Sequence, residues 1–189
     1  MTDLFVLFVG AALVSNFVLV QLLGLCPFMG TSNRMETAVP MGIATICVIT
    51  ISTVVSNALN QFVLVPLDLE FLRIITFIVV IAAVVQLVER YVRFASPLLH
   101  QLLGLYLPLI TSNCAVLGVA LSVADLPLAN ALAVGVGAGV GFCLVLVLFA
   151  GLRVNLNHSS VPQAFQGAPI ALITVGLIAL AFAGFRGIF

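Results

Sequence analysis

Gln21-Leu-Leu-Gly-Leu-Cys-Pro-Phe-Met-Gly-Thr-Ser-Asn33 and Gln101-Leu-Leu-Gly-Leu-Tyr-Leu-Pro-Leu-Ile-Thr-Ser-Asn113 are two copies of one phrase, identical at eight of thirteen positions and offset by 80 residues. Self-similarity at fixed spacing marks structural duplication, and in an apolar chain it points to two repeats meeting at a shared site. Cys26 lies inside the first copy and Cys114 directly follows the second.

Outward from this phrase the chain is apolar. Of its 189 residues, 63% are hydrophobic and 6% are charged, whereas a soluble domain carries about 25% charged residues. The composition therefore predicts a protein of the lipid bilayer. Net charge is zero and lysine is absent, which excludes a basic face for nucleic acid. The start, Met1-Thr2-Asp3, lacks the positive region of a secretory signal, so the first apolar segment is expected to stay in the mature protein.

A spanning helix needs about 20 apolar residues, and the charged residues serve as rulers between spans. Six helices are predicted, near residues 4–23, 39–60, 70–89, 98–122, 127–151 and 169–187. Pro66 before Asp68, Ser96-Pro97, Asp125-Leu126-Pro127 and the polar run from Asn155 to Gln166 mark the turns. Arg34, Arg90, Arg93 and Arg153 follow helices 1, 3 and 5, against Arg73 and Arg186 on the other side. By the positive-inside rule both termini are expected outside, in the periplasm of a bacterium.

Three helices separate the two copies, and an odd number reverses the direction of travel. The expected fold is thus an all-α polytopic membrane protein, a single domain over 1–189 of two inverted three-helix repeats, about 1–93 and about 94–189. The uncharged runs around the copies, 30 residues before Arg34 and 31 between Arg93 and Asp125, would make helices of about 45 Å against a core of about 30 Å. Helices 1 and 4 are therefore expected to be interrupted, with Gly24 and Pro27 in one and Gly104 and Pro108 in the other as the means. One long tilted helix followed by a polar loop is the plainer alternative.

An isolated cysteine is usually a small buried hydrophobe. Cys26 and Cys114 differ in lying at Gly/Pro-interrupted segments, although they are not equivalent by the repeat: Cys26 aligns with Tyr106 and Cys114 with Arg34. Two thiolates in a low-dielectric site suit a soft metal or an iron–sulfur cluster. A [2Fe–2S] cluster usually takes four protein ligands, and neither His100 nor His158 is placed to complete the set. Half the ligands of any such cluster would come from another chain.

Three phrases carry a resemblance: Leu23-Gly-Leu-Cys-Pro-Phe-Met-Gly30, Leu107-Pro-Leu-Ile-Thr-Ser-Asn-Cys-Ala-Val-Leu-Gly118 and Ala171-Leu-Ile-Thr-Val-Gly-Leu177. Over essentially the whole chain the sequence resembles the A-type membrane subunits of Rnf electron-transport complexes. It is similar, less closely, to the D and E subunits of the sodium-translocating NADH:quinone reductase. The resemblance implies a six-helix protein that pairs with a paralogous E subunit in a bacterial inner membrane and works with the B, C, D and G subunits. The complex is implied to be an ion-translocating ferredoxin:NAD oxidoreductase moving Na⁺ or H⁺. The pair is implied to hold one [2Fe–2S] cluster, each chain giving two cysteines, here Cys26 and Cys114. Gly24, Pro27, Thr111, Ser112 and Asn113 are then expected to support the site, with half-helix N-termini and nearby donors offsetting its negative charge.

Cys47 and Cys143 fall mid-helix and are expected to be packing residues. A thiol-relay enzyme is disfavoured by the lack of any CxxC pair. Gly135, Gly137, Gly139 and Gly141 read as small-xxx-small helix contacts rather than as a nucleotide loop. Glu36, Asp68, Glu70, Glu89 and Asp125 lie near predicted helix ends. Ion movement is then left to neutral groups such as Asn16, Asn57, Asn60, Asn113 and Thr111, to conformational change, or to partner subunits. The alternatives are a redox-silent inverted-repeat transporter or channel, an assembly scaffold, and an E-type quinone-reductase subunit.

Overall fold

The computed structural model describes residues 2–14, 16–32, 35–95, 107–156, 162 and 165–184. These residues form helices and turns, with no strand among them. In chain order they are α1 (Thr2–Val9) with a π-helical continuation (Gly10–Val14), α2 (Phe17–Gln21), α3 (Leu25–Thr31) and α4 (Met35–Leu59) with its own π-helical end (Asn60–Leu64). A 3₁₀ turn (Glu70–Leu72) leads into α5 (Arg73–Ala95), and α6 (Leu107–Thr111), α7 (Cys114–Ser122), α8 (Leu128–Leu156) and α9 (Ala168–Ala183) follow.

Three of these helices are long and apolar enough to cross a membrane, over Met35–Leu64, Glu70–Phe94 and Leu128–Val154. Shorter apolar helices run over Leu4–Leu13, Leu109–Ser122 and Ala168–Ala183. The outer surface is apolar too: Phe62 is 79% exposed, Phe71 87% and Phe94 92%. Aromatic rings this bare suit hydrocarbon rather than water.

The centre of the molecule is α8 laid along α4, and the four glycines of the ladder explain how closely α8 is approached. A Cβ on Gly135 would meet Thr53, and one on Gly139 would lie 3.1 Å from Ile46 Cα. On the other face, a Cβ on Gly137 would stand 2.6 Å from the Phe8 carbonyl oxygen, and one on Gly141 2.5 Å from that of Ala12. One face of α8 thus takes α4 and the other takes α1 with its π-helical turn, as the small-xxx-small reading requires. Cys143 packs against Gly42 of α4. Cys47, expected as a packing residue, is instead exposed, in an apolar groove of about 430 Å³ between α4 and α5 lined by Val39, Ile43, Val88 and Tyr91.

At one end of the bundle α4 holds the turn after α7. The Asn57 amide donates to the carbonyls of Val123 (2.8 Å), Ala124 (3.2 Å) and Leu126 (2.9 Å), and the Asn60 amide to Ala124 (3.0 Å). Arg73 caps this end with a forked contact to Asp125 at 2.9 and 3.2 Å. Glu89 pairs with Arg93 at 3.4 Å, and Glu36 opens the first turn of α4.

Two sequence expectations need correction. The first interruption lies at Asn16 and again at Leu22–Gly24, not at Pro27, which sits in the first turn of α3. A proline there forfeits no helical hydrogen bond, because the first N–H groups of a helix have no partner anyway. For the same reason Pro108 falls inside α6, and the second interruption is at Ser112–Asn113. Gly104, Arg34, both histidines, the Ser96-Pro97 turn and most of the polar run after Asn155 lie outside the described residues.

Candidate functional site

The first break is made by two left-handed residues. Leu22 has φ 54° and Gly24 φ 85°, a region that costs an ordinary residue about 1 kcal/mol or more and glycine little. Gly24 is required a second time by space. A Cβ there would lie 3.0 Å from Asn113 Oδ1, 3.0 Å from Phe142 Cε2 and 3.1 Å from the Ala115 Cβ. The first break is therefore pressed directly on the second.

Each break is capped by an asparagine. Asn16 Oδ1 accepts from the Val18 N–H (3.0 Å) while its amide donates back to the Ala12 carbonyl (3.1 Å). Asn113 Oδ1 accepts from the Ala115 N–H at 3.1 Å. Both are N-caps of the kind that satisfy otherwise orphaned helix donors. Asn113 is buried, and its Nδ2 finds no acceptor.

Between the breaks runs one contact 90 residues long in sequence: the Gly24 N–H donates to Cys114 Sγ at 3.0 Å. Cys114 is the first residue of α7. Cys26 is the second of α3, and two peptide steps from Gly24 keep its Cα within about 8 Å of that glycine. Both thiols are exposed on the surface of the chain. Neither is the small buried hydrophobe that an isolated cysteine usually is; of the four, Cys143 is the least accessible. Of the supporting residues, Pro27 is buried beside Phe28, and Thr111 and Ser112 are exposed at the second break.

Two features that hold α3 in place escape sequence reasoning. Phe28 is inserted against α8, its ring 4.7 Å from that of Phe149 and 6.4 Å edge-on from that of Phe142. Arg153 then closes the far end of α3, donating from Nη1 to the Met29 carbonyl (3.1 Å) and to Ser32 Oγ (2.7 Å). A cation on the last carbonyls of a helix offsets both their missing partners and the negative end of the dipole. The only signal in the sequence is a single arginine at the end of an apolar 27-residue span, which reads first as a marker of sidedness. Arg153→Ala is expected to cost about 1.5–3 kcal/mol, the range for a charged hydrogen bond. Unchanged stability of Arg153→Ala to heat or denaturant would remove the clamp.

Among the described residues no group of three or more His, Cys, Asp or Glu comes together to hold a metal. What the geometry offers is a pair of surface thiols at two broken, mutually packed segments, with an amide N–H already aimed at one sulfur. These features define a class: an integral membrane protein of packed apolar helices with exposed cysteines at two helix breaks.

The chain belongs to the Rnf-Nqr family of membrane proteins, whose family profile, "Rnf-Nqr subunit, membrane protein", matches residues 4–189. It is 56% identical over 190 residues to a protein of Edwardsiella ictaluri (strain 93-146) named as the A subunit of an ion-translocating oxidoreductase complex, with all of this chain and 98% of the relative covered. Proteins of the same name from Photorhabdus laumondii and Pseudoalteromonas translucida are 55% and 54% identical over the same shares.

Proposed function

We propose that this chain is the A-type membrane subunit of an ion-translocating Rnf complex and supplies Cys26 and Cys114 as half the ligands of a [2Fe–2S] cluster. The observation that carries the reading is the Gly24 N–H on Cys114 Sγ, made where two interrupted helices meet and both thiols open outward. A backbone N–H on a ligand sulfur orients that sulfur toward a cluster. Hydrogen bonds to ligand sulfur also tune a cluster's potential.

The donor set fits the group in kind and falls short in number. Two cysteines of a paralogous E subunit complete it, and the surface position of both thiols suits sharing across a subunit boundary. Bound there, the cluster would supply one-electron transfer within the membrane. The chain's own contribution is to present two sulfurs from helical segments, keep them apart from bulk water inside an apolar assembly, and give Cys114 Sγ the donor of Gly24.

In the full topology the two breaks belong to helices 1 and 4 of a six-span subunit built as inverted repeats, with both termini periplasmic in a bacterial inner membrane. The family membership, the repeat and the arginine distribution support this arrangement. The B, C, D and G subunits then provide the remaining electron carriers and the coupling to Na⁺ or H⁺.

The test is co-purification of this chain with its paralogous partner. About two irons and two acid-labile sulfides per pair, with a reducible paramagnetic signal, are expected. Iron-free pairs after anaerobic reconstitution would overturn the reading and leave a redox-silent transporter or a scaffold.

A further inference from the structure

The groove between α4 and α5 is longer than its widest part. A second apolar hollow of about 300 Å³ adjoins it and shares Ile51, Val88 and Tyr91 as walls. On α4 the lining row is Val39, Pro40, Ile43, Cys47 and Ile51, positions three and four apart on one helix face. From Val39 to Ile51 the helix rises about 18 Å, and one leaflet of hydrocarbon is about 15 Å deep, half of about 30 Å. Val39 lies one turn inside the start of α4 at Met35, and Tyr91 one turn inside the end of α5 at Ala95. The groove therefore runs from one membrane surface to about the middle of the bilayer.

Its mouth carries charge of both signs. Glu36 continues the α4 row by one turn and is exposed, and Arg90 is exposed beside Tyr91 on the α5 rim. Among the described residues neither has an ion-pair partner, whereas their neighbours Glu89 and Arg93 pair with each other at 3.4 Å. Pro40 adds an acceptor: having no N–H, it leaves the Glu36 carbonyl, four residues before it, without its helical donor.

We infer that this groove holds a phospholipid of the phosphatidylethanolamine class, with an acyl chain along residues 39–51 of α4, its phosphate at Arg90 and its ammonium at Glu36. The apolar walls and the depth of one leaflet fit the chain. The mouth selects the head. Arginine is the side chain suited to phosphate, and an ammonium brings three N–H donors for a carboxylate and a carbonyl that lacks one. A choline head offers no N–H, and a glycerol head has no positive charge to set against Glu36. The inference needs only the membrane spans of α4 and α5 and is independent of the cluster.

The test is photolabelling of the purified complex in nanodiscs by a phosphatidylethanolamine with a diazirine in its acyl chain, followed by peptide mapping. Label is expected on residues 39–51 and 84–92. Unlabelled phosphatidylethanolamine should displace it roughly tenfold more effectively than phosphatidylcholine or phosphatidylglycerol, a tenfold step in Kd. Glu36→Gln and Arg90→Gln should each remove most of that preference. Ile43→Trp, at a position 56% exposed and so free to enlarge without entering the core, should abolish the label while the complex assembles normally. Ile75→Trp, equally bulky at a lipid-facing position of α5 away from the groove, should change nothing. Label spread evenly over the lipid-facing helices, equal displacement by the three lipids, a preference for either of the other two, or labelling unchanged in Ile43→Trp overturns the inference. So does a Cys47 that maleimide fails to reach in the delipidated complex, since a partner subunit then covers the groove.

Discussion

Cys114→Ser is expected to abolish the iron and the paramagnetic signal of the co-purified pair while the subunit still inserts and assembles. The separation of the two effects follows from the geometry around the sulfur. Serine is close to cysteine in size, and its oxygen accepts hydrogen bonds, so the contact from the Gly24 N–H at 3.0 Å survives in kind. Packing between the two breaks is then preserved. What is lost is the soft thiolate that iron prefers, and a hydroxyl of high pKa does not replace it. Cys26→Ser should behave alike, since its side chain is exposed and anchors nothing. Cys47→Ser is the control: it is equally exposed but lies in the groove between α4 and α5, and its iron content should match wild type. Full iron in Cys114→Ser would show that this sulfur is not a ligand.

Gly141→Leu is expected to prevent accumulation of the folded subunit. Its first added atom would stand 2.5 Å from the Ala12 carbonyl oxygen and 2.9 Å from Asn16 Nδ2. The obstacle is mainly backbone, which cannot rotate away as a side-chain tip does, so α8 and the π-helical turn must separate. Overpacking of a tight contact costs about 1–3 kcal/mol even where neighbours can adjust, and here the cap of α2 is displaced as well. Set against a total stability of about 5–15 kcal/mol, a loss above about 3 kcal/mol shows as degradation in the membrane fraction. Gly137→Leu meets the Phe8 carbonyl and should fail likewise. Gly176→Ala has open space and should be neutral or slightly stabilising, because alanine is the better helix former. Equal accumulation of Gly141→Leu and Gly176→Ala would mean that the ladder is not a packing face.

The duplicated phrase is legible because repetition needs no structure to be seen. The ladder from Gly135 to Gly141 is legible because close helix approach demands small residues at a period of four. The breaks are legible in kind and displaced in detail. Pro27 and Pro108 have the look of breakers, yet a proline in a first turn disturbs nothing, whereas Leu22 at φ 54° carries no sequence mark at all. Cys47 and Cys143 read alike in the sequence, and only the structure shows one on the surface and the other against Gly42.

By itself the sequence determined that this is an apolar helical membrane protein with two related segments, and that Cys26 and Cys114 accompany them. These are properties of composition and spacing, which a chain carries before it folds. Only the tertiary structure decided that Gly24 meets Cys114, that Arg153 closes the helix bearing Cys26, and that α4 and α5 leave an apolar groove at Cys47. Each of those depends on groups 90 or 121 residues apart, or on how two helices lie together. Such contacts are set by how helices pack, and no local pattern encodes them.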